Sequence, residues 1–188
     1  MKRLLFIGFI MVLAVATVTA LFVGRLRPSP RPMPSPTPTT TFNAWRGVSP
    51  GVTSVNELTS LFGPPTSTTQ GGDQKTIFYP STNQYWKNEI EATKEVVTFM
   101  KERLFDPLER SLAVVSSEIP GQPIVLYGPD FESGYLLYAY PESGIAFYAQ
   151  EDRKIVYEIW RFAPTSLRGF LSLPAASRYG LSPRHEPE

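Results

Sequence analysis

The sequence predicts an α+β protein of two tandem units, each a helix followed by a three-stranded antiparallel meander, carried behind an N-terminal transmembrane helix and a proline-rich stalk. Three observations predict it. Residues 4–24 are an uncharged run of 21 residues, which at about 1.5 Å per helical residue reaches about 31 Å, one hydrocarbon core. Over residues 28–38 every second residue is proline, which forbids helix and favours a stiff polyproline II spacer. In the rest of the chain a helix signal followed by three strand-like runs occurs twice.

The N-terminus carries two readings. Met1-Lys2-Arg3 ahead of the apolar run is the basic start of an export signal, and Val18-Thr19-Ala20 offers small residues for cleavage. The run continues through Leu21, Phe22 and Val23, longer than a signal core, so an uncleaved anchor is favoured over cleavage after Ala20. Lipoprotein processing is excluded, because the chain has no cysteine to carry the lipid. Lys2 and Arg3 before the span nearly balance Arg25, Arg27 and Arg31 after it. The export-like start and the Pro/Ser/Thr stalk decide for a single-pass cell-membrane protein with its C-terminal domain outside the cytoplasm, a cytoplasm-facing domain being the alternative. The expected organisation is a signal-anchor at 1–24, a linker at 25–41 whose 11-residue proline run at 28–38 holds the domain about 34 Å from the bilayer at about 3.1 Å per residue, a folded domain at 42–174 and a polar, disordered tail at 175–188.

Within the domain the first helix is signalled by the string Gly51-Val52-Thr53-Ser54-Val55-Asn56-Glu57-Leu58-Thr59-Ser60-Leu61-Phe62. Ser54 with Glu57 fits a capping box, Val55, Leu58, Leu61 and Phe62 form an apolar stripe, and Gly63-Pro64-Pro65 ends it. Strands are expected at 75–79, 85–91 and 95–101. Asp106-Pro107-Leu108-Glu109 reads as an N-cap, a first-turn proline and a capping glutamate, opening a second helix to about Ser116. Strands at 135–140, 145–149 and 154–162 come next. Three echoed strings support a duplication: Leu61-Phe62-Gly63-Pro64-Pro65 with Leu126-Tyr127-Gly128-Pro129-Asp130, Tyr79-Pro80 with Tyr140-Pro141, and Glu95-Val96-Val97-Thr98-Phe99 with Lys154-Ile155-Val156-Tyr157-Glu158.

Gly51-Val52-Thr53 followed by Val55, Leu58 and Leu61-Phe62-Gly63-Pro64-Pro65 resembles the helix signature of the SmpA/OmlA (BamE-like) fold, which also occurs as a tandem pair in β-lactamase inhibitor proteins. The resemblance implies a small extracytoplasmic module that binds proteins and catalyses nothing. The chain lacks the lipid-carrying cysteine of the outer-membrane assembly members.

Charge and composition narrow the chemistry. Residues 42–174 hold 11 Lys+Arg against 15 Asp+Glu, so the domain lacks the basic stripe that nucleic-acid binding needs. Zero cysteine removes disulfides, thiolate metal sites and thiol nucleophiles. The single histidine, His185, lies in the expected tail and leaves a Ser-His-acid triad or a histidine metal site without a partner in the domain. No cofactor and no metal site is expected. Glu89 with Glu91, or Asp130 with Glu132, would share one side of a strand, but carboxylates so spaced mostly keep an exposed face soluble.

Aromatic residues give the better functional signal. On 154–162, Ile155, Tyr157 and Ile159 share one face and Val156, Trp160 and Phe162 the other, so one face covers the helices while the second is expected to be an exposed aromatic surface. Tyr138, Tyr148 and Trp160, with Arg161 at the edge, are the expected binding patch for a protein of the cell envelope. Two alternatives stand beside this non-catalytic protein-binding module: an envelope glycan-binding module using Trp86 or Trp160, and a glycan-acting enzyme using the Glu89/Glu91 pair.

Overall fold

The computed structural model of the chain describes residues 42–82, 85–105 and 111–183. The expected membrane span at 4–24, the stalk, the opening of the second helix at 106–110 and His185 lie outside the described residues. Among the described residues no helix is long and apolar enough to cross a membrane.

Helix α1 (Val55–Phe62) forms where the capping signal places it. The backbone N–H and the hydroxyl of Ser54 both donate to Glu57 Oε2 at 2.7 Å, which holds the Glu57 carboxyl below its ordinary range. Leu58 is fully buried, whereas Leu61, expected in the stripe, faces solvent. Strands β1 (Ser67–Gly71), β2 (Gln74–Tyr79), β3 (Asn88–Thr93) and β4 (Val96–Arg103) come next as a meander. Helix α2 (Leu112–Ser116) opens a second one of β5 (Ile124–Tyr127), β6 (Tyr135–Tyr140), β7 (Ile145–Gln150) and β8 (Ile155–Phe162), closed by helix α3 (Leu167–Leu171).

All eight strands join one antiparallel sheet in the order β1-β2-β3-β4-β8-β7-β6-β5. This corrects the expected architecture, and with it the SmpA/OmlA (BamE-like) resemblance. There are not two tandem helix plus three-stranded units but one sheet-rich body in which the two meanders share a seam, β4 against β8. The physical reason lies in those two strands. β4 buries Val97 and Met100 on one side and Phe99 on the other, and β8 buries Ile159 and Arg161 against Trp160 and Phe162, so neither can serve as a solvated edge. Two strands escaped the sequence pattern. β1 (Ser-Thr-Thr-Gln-Gly) has no apolar residue, and β5 lies between Pro123 and Gly128, in a string that looks like the end of α1. Consequently the Leu61/Leu126 echo matches a helix end to a strand, while the echoes at Tyr79/Tyr140 and Val96/Ile155 mark the ends of β2 and β6 and the starts of β4 and β8.

Each face of the sheet is covered. On the first face one row crosses six strands as Ile77, Ile90, Met100, Arg161, Ile145 and Tyr140, and the next holds Glu102, Ile159, Phe147 and Tyr138. Trp45, Val48 and Leu58 cover its β2–β4 part, and Leu112 and Ile119 the rest. On the second face Phe99, Trp160, Phe162, Leu137 and Leu126 lie beneath Phe170 of α3 and Ala176, both fully buried. Folded chain therefore continues past residue 174, where a disordered tail was expected. Gly180 exchanges two backbone hydrogen bonds with Tyr127, at 2.8 and 3.0 Å, and so pairs the last residue of β5 on its outer side. The β6–β7 turn depends on Gly144, whose φ of +70° and distance from Phe162 O (an added Cβ would stand at 2.3 Å) admit no side chain.

Candidate binding cleft

A cleft of about 690 Å³ opens on the second face of the sheet, between its strands and the segment that follows α3. Its floor comes from alternate residues of β4, β8, β7 and β6, because period-2 alternation aims them all to one side. Lys101 stands opposite Trp160, and Arg103 opposite Glu158, which in turn opposes Tyr148. A register shift between Tyr148 and Ala149 adds Tyr157, which has no partner across the ladder, to the same rim. The walls are Trp86 from the β2–β3 connection, Pro129, Asp130 and Ser133 after β5, and Ala175, Arg178 and Tyr179.

The rings are held stiffly. Tyr135 and Tyr148 stack at 5.2 Å with 8° between planes, and Tyr157 stands edge-on to Tyr135 at 5.5 Å. Tyr179 meets Trp160 edge-on at 5.6 Å and lies so close over Gly128 that an added Cβ there would come within 2.4 Å of its ring. Both carboxylates of the cleft are occupied in fixing rings. Asp130 accepts from the Tyr148 hydroxyl at 3.0 Å, and Glu158 accepts from Trp160 Nε1 at 2.7 Å while pairing with Arg103. Burial, reinforced by Asp130 on Tyr148 and by Glu158 on Tyr179, pushes both phenols far above their ordinary range, so they stay protonated. The Lys101 ammonium sits 5.2 Å from the Trp160 ring centre and 3.5 Å from Glu89, and the Arg103 guanidinium 5.0 Å from the Trp86 ring centre.

The structure divides the expected patch. Tyr148 and Trp160 line the cleft, Trp160 from beneath with 3% of its surface exposed. Tyr138 and Arg161 belong to the opposite face, where both are buried. Tyr138 packs in the core with its hydroxyl 3.2 Å from Lys154, and Arg161 pairs with Glu102 at 2.9 Å and lies 5.9 Å from the Trp45 ring centre. Four residues therefore do not make one surface, because adjacent strand positions 160 and 161 point oppositely. Glu89 and Glu91 do share a side of β3, with Glu89 paired to Lys101 and Glu91 pushed up by burial and then by Glu89. Among the described residues no cluster of three His, Asp or Glu stands ready for a metal ion. Sequence reading missed Arg178 and Tyr179 because they follow Pro174 in a polar stretch; a lone tyrosine beside arginine was the available signal.

No family model and no curated protein matches the chain. Among solved structures it is similar to a DUF4309 family protein, YjgB, of Bacillus subtilis, at 15% identity and a TM-score of 0.47 over 64% of this chain and 84% of that one. It is also similar to an extracellular protein containing a SCP domain from Bacillus anthracis (11% identity, TM-score 0.40, 73% and 50% covered). A third is a cysteine-rich secretory protein from Staphylococcus aureus (12%, 0.37, 63% and 48%). The chain spans about half the length of the latter two. Likenesses this distant assign no activity.

Proposed function

We propose that the chain is a membrane-anchored, extracytoplasmic, non-catalytic binding module of the cell envelope, with the cleft as its binding site. The observation that carries this reading is the use made of the cleft's acidic groups: Asp130 and Glu158 are spent on orienting Tyr148, Arg103 and Trp160, which leaves a preformed aromatic and basic surface whose chemistry is recognition. Stiff rings lose little entropy on capture of a ligand, and the volume lies in the range of sites for small ligands or chain ends. The uncharged run at 4–24 and the proline stalk support placing the cleft outside the membrane on a spacer.

A protein partner is the second reading, favoured by Tyr85, Trp86 and Phe105, which expose 76%, 59% and 56% of their surface. The test joins location to capture. Protease treatment of intact cells is expected to release a fragment of about 17 kDa by cutting the stalk. Full-length wild type in detergent is expected to co-sediment with purified envelope material, and the Trp86→Ala chain to be released from it. Full protection of the chain in intact cells refutes the location, and equal retention of the variant refutes the cleft.

A further inference from the structure

From the charges and rings of this cleft we infer its ligand class: an anionic carbohydrate, with a sugar ring laid against the Tyr135, Tyr148 and Tyr157 wall and its carboxylate or phosphate drawn to Arg178 and Lys101. The inference rests on the cleft being the binding site. Three observations lead to it.

The first is charge. The cleft lining carries Lys101, Arg103 and Arg178 against Asp130 and Glu158, a surplus of one cation, in a folded body whose residues 42–183 hold 12 basic against 15 acidic residues. Glu158 pairs with Arg103 and Glu89 with Lys101, so the cation left over is Arg178, on the exposed wall, which has no ion-pair partner among the described residues. An anion repelled by the rest of the domain is attracted here. The Tyr179 hydroxyl, kept protonated by burial and by Glu158, is a hydrogen-bond donor beside Arg178 rather than a competing negative charge.

The second is backbone. β4, β8, β7 and β6 form the floor, and each has a neighbouring strand on both sides, so the floor offers no strand edge to an extended peptide. Peptide capture by strand addition needs a free edge. The last residue of the β5 edge, Tyr127, is paired with Gly180, and β1 lies at the far side of the sheet. The third is ring geometry. Two stacked phenols with a third edge-on line the wall with aromatic carbon, the Tyr148 hydroxyl donating to Asp130 and the Tyr157 hydroxyl to Gln150, and a fixed ring wall of this kind suits the apolar face of a pyranose.

The test uses the full-length chain in detergent micelles, with tryptophan fluorescence as readout and trigalacturonate, neutral galactotriose and triglutamate as probes. Trigalacturonate is expected to bind, galactotriose to bind about tenfold more weakly, and Arg178→Gln to weaken trigalacturonate about tenfold with galactotriose unaffected. Arg178 is exposed, so the variant keeps the fold, and an unchanged near-UV circular dichroism spectrum checks it. Equal binding of galactotriose removes the anionic element and leaves the cleft reading intact. Triglutamate matching trigalacturonate removes the sugar. Failure of every saccharide, while Trp86→Ala still abolishes envelope retention, overturns this inference without touching the proposed function.

Discussion

Replacing Gly128 by alanine tests whether the segment after α3 is a built wall of the cleft. The added methyl would stand 2.4, 2.8 and 2.8 Å from Cε1, Cδ1 and Cζ of Tyr179, whereas carbon atoms rest at about 3.5–4.0 Å, so the ring must give way by about 1 Å. It has two routes. Retreat within a packed site costs about 1–3 kcal/mol, the usual cost of overpacking. Ejection gives up the edge-on contact with Trp160, worth about 1 kcal/mol, and loosens the two Tyr127–Gly180 hydrogen bonds at about 1 kcal/mol each. Both routes converge on about 2–3 kcal/mol, a fall of about 8 °C in Tm for a domain of this size. Thermal unfolding by circular dichroism measures the loss, and a red shift of tryptophan emission reports water reaching Trp160. A double-mutant cycle then fixes the cause: with Tyr179→Ala already present, Gly128→Ala should cost almost nothing. An undiminished cost in that background, or an unchanged Tm in the single variant, would refute the packing argument.

Other perturbations probe the opposite face and the carboxylates. Glu102→Ala removes the carboxylate that pairs with Arg161, buried in the row between Met100 and Ile145, and should cost about 3 kcal/mol in urea unfolding, with Glu102→Gln costing clearly less. Glu91 has its carboxyl pushed up by burial and by Glu89, so the folded chain holds that proton more tightly than the unfolded one. Stability is then lost as pH rises from the ordinary carboxylate value through the raised one, and none is lost below it. Glu91→Gln should therefore unfold at a higher temperature than wild type at pH 7 and at the same temperature at pH 3.5; a variant with no advantage at neutral pH contradicts that sign. Gly144→Ala should prevent accumulation of folded protein, read by near-UV circular dichroism, since Phe162 O is main chain and cannot yield.

The sequence by itself determined what is encoded over a few neighbouring residues. The Ser54–Glu57 capping box, the Gly63 stop, the β2–β4 and β6–β8 strand runs and the aromatic character of the strands all rest on interactions within a turn or on period-2 alternation. Tertiary structure decided the remainder, because strand pairing and coverage of a face depend on chain far away. Arg161 looks like the edge of an aromatic patch until Glu102, 59 residues distant, takes it into the core. β1 has no apolar residue to announce it, and becomes a strand because β2 offers it a ladder. Tyr179 looks like tail until the missing side chain of Gly128, 51 residues earlier, gives its ring a seat and turns the end of the fold into one wall of the cleft.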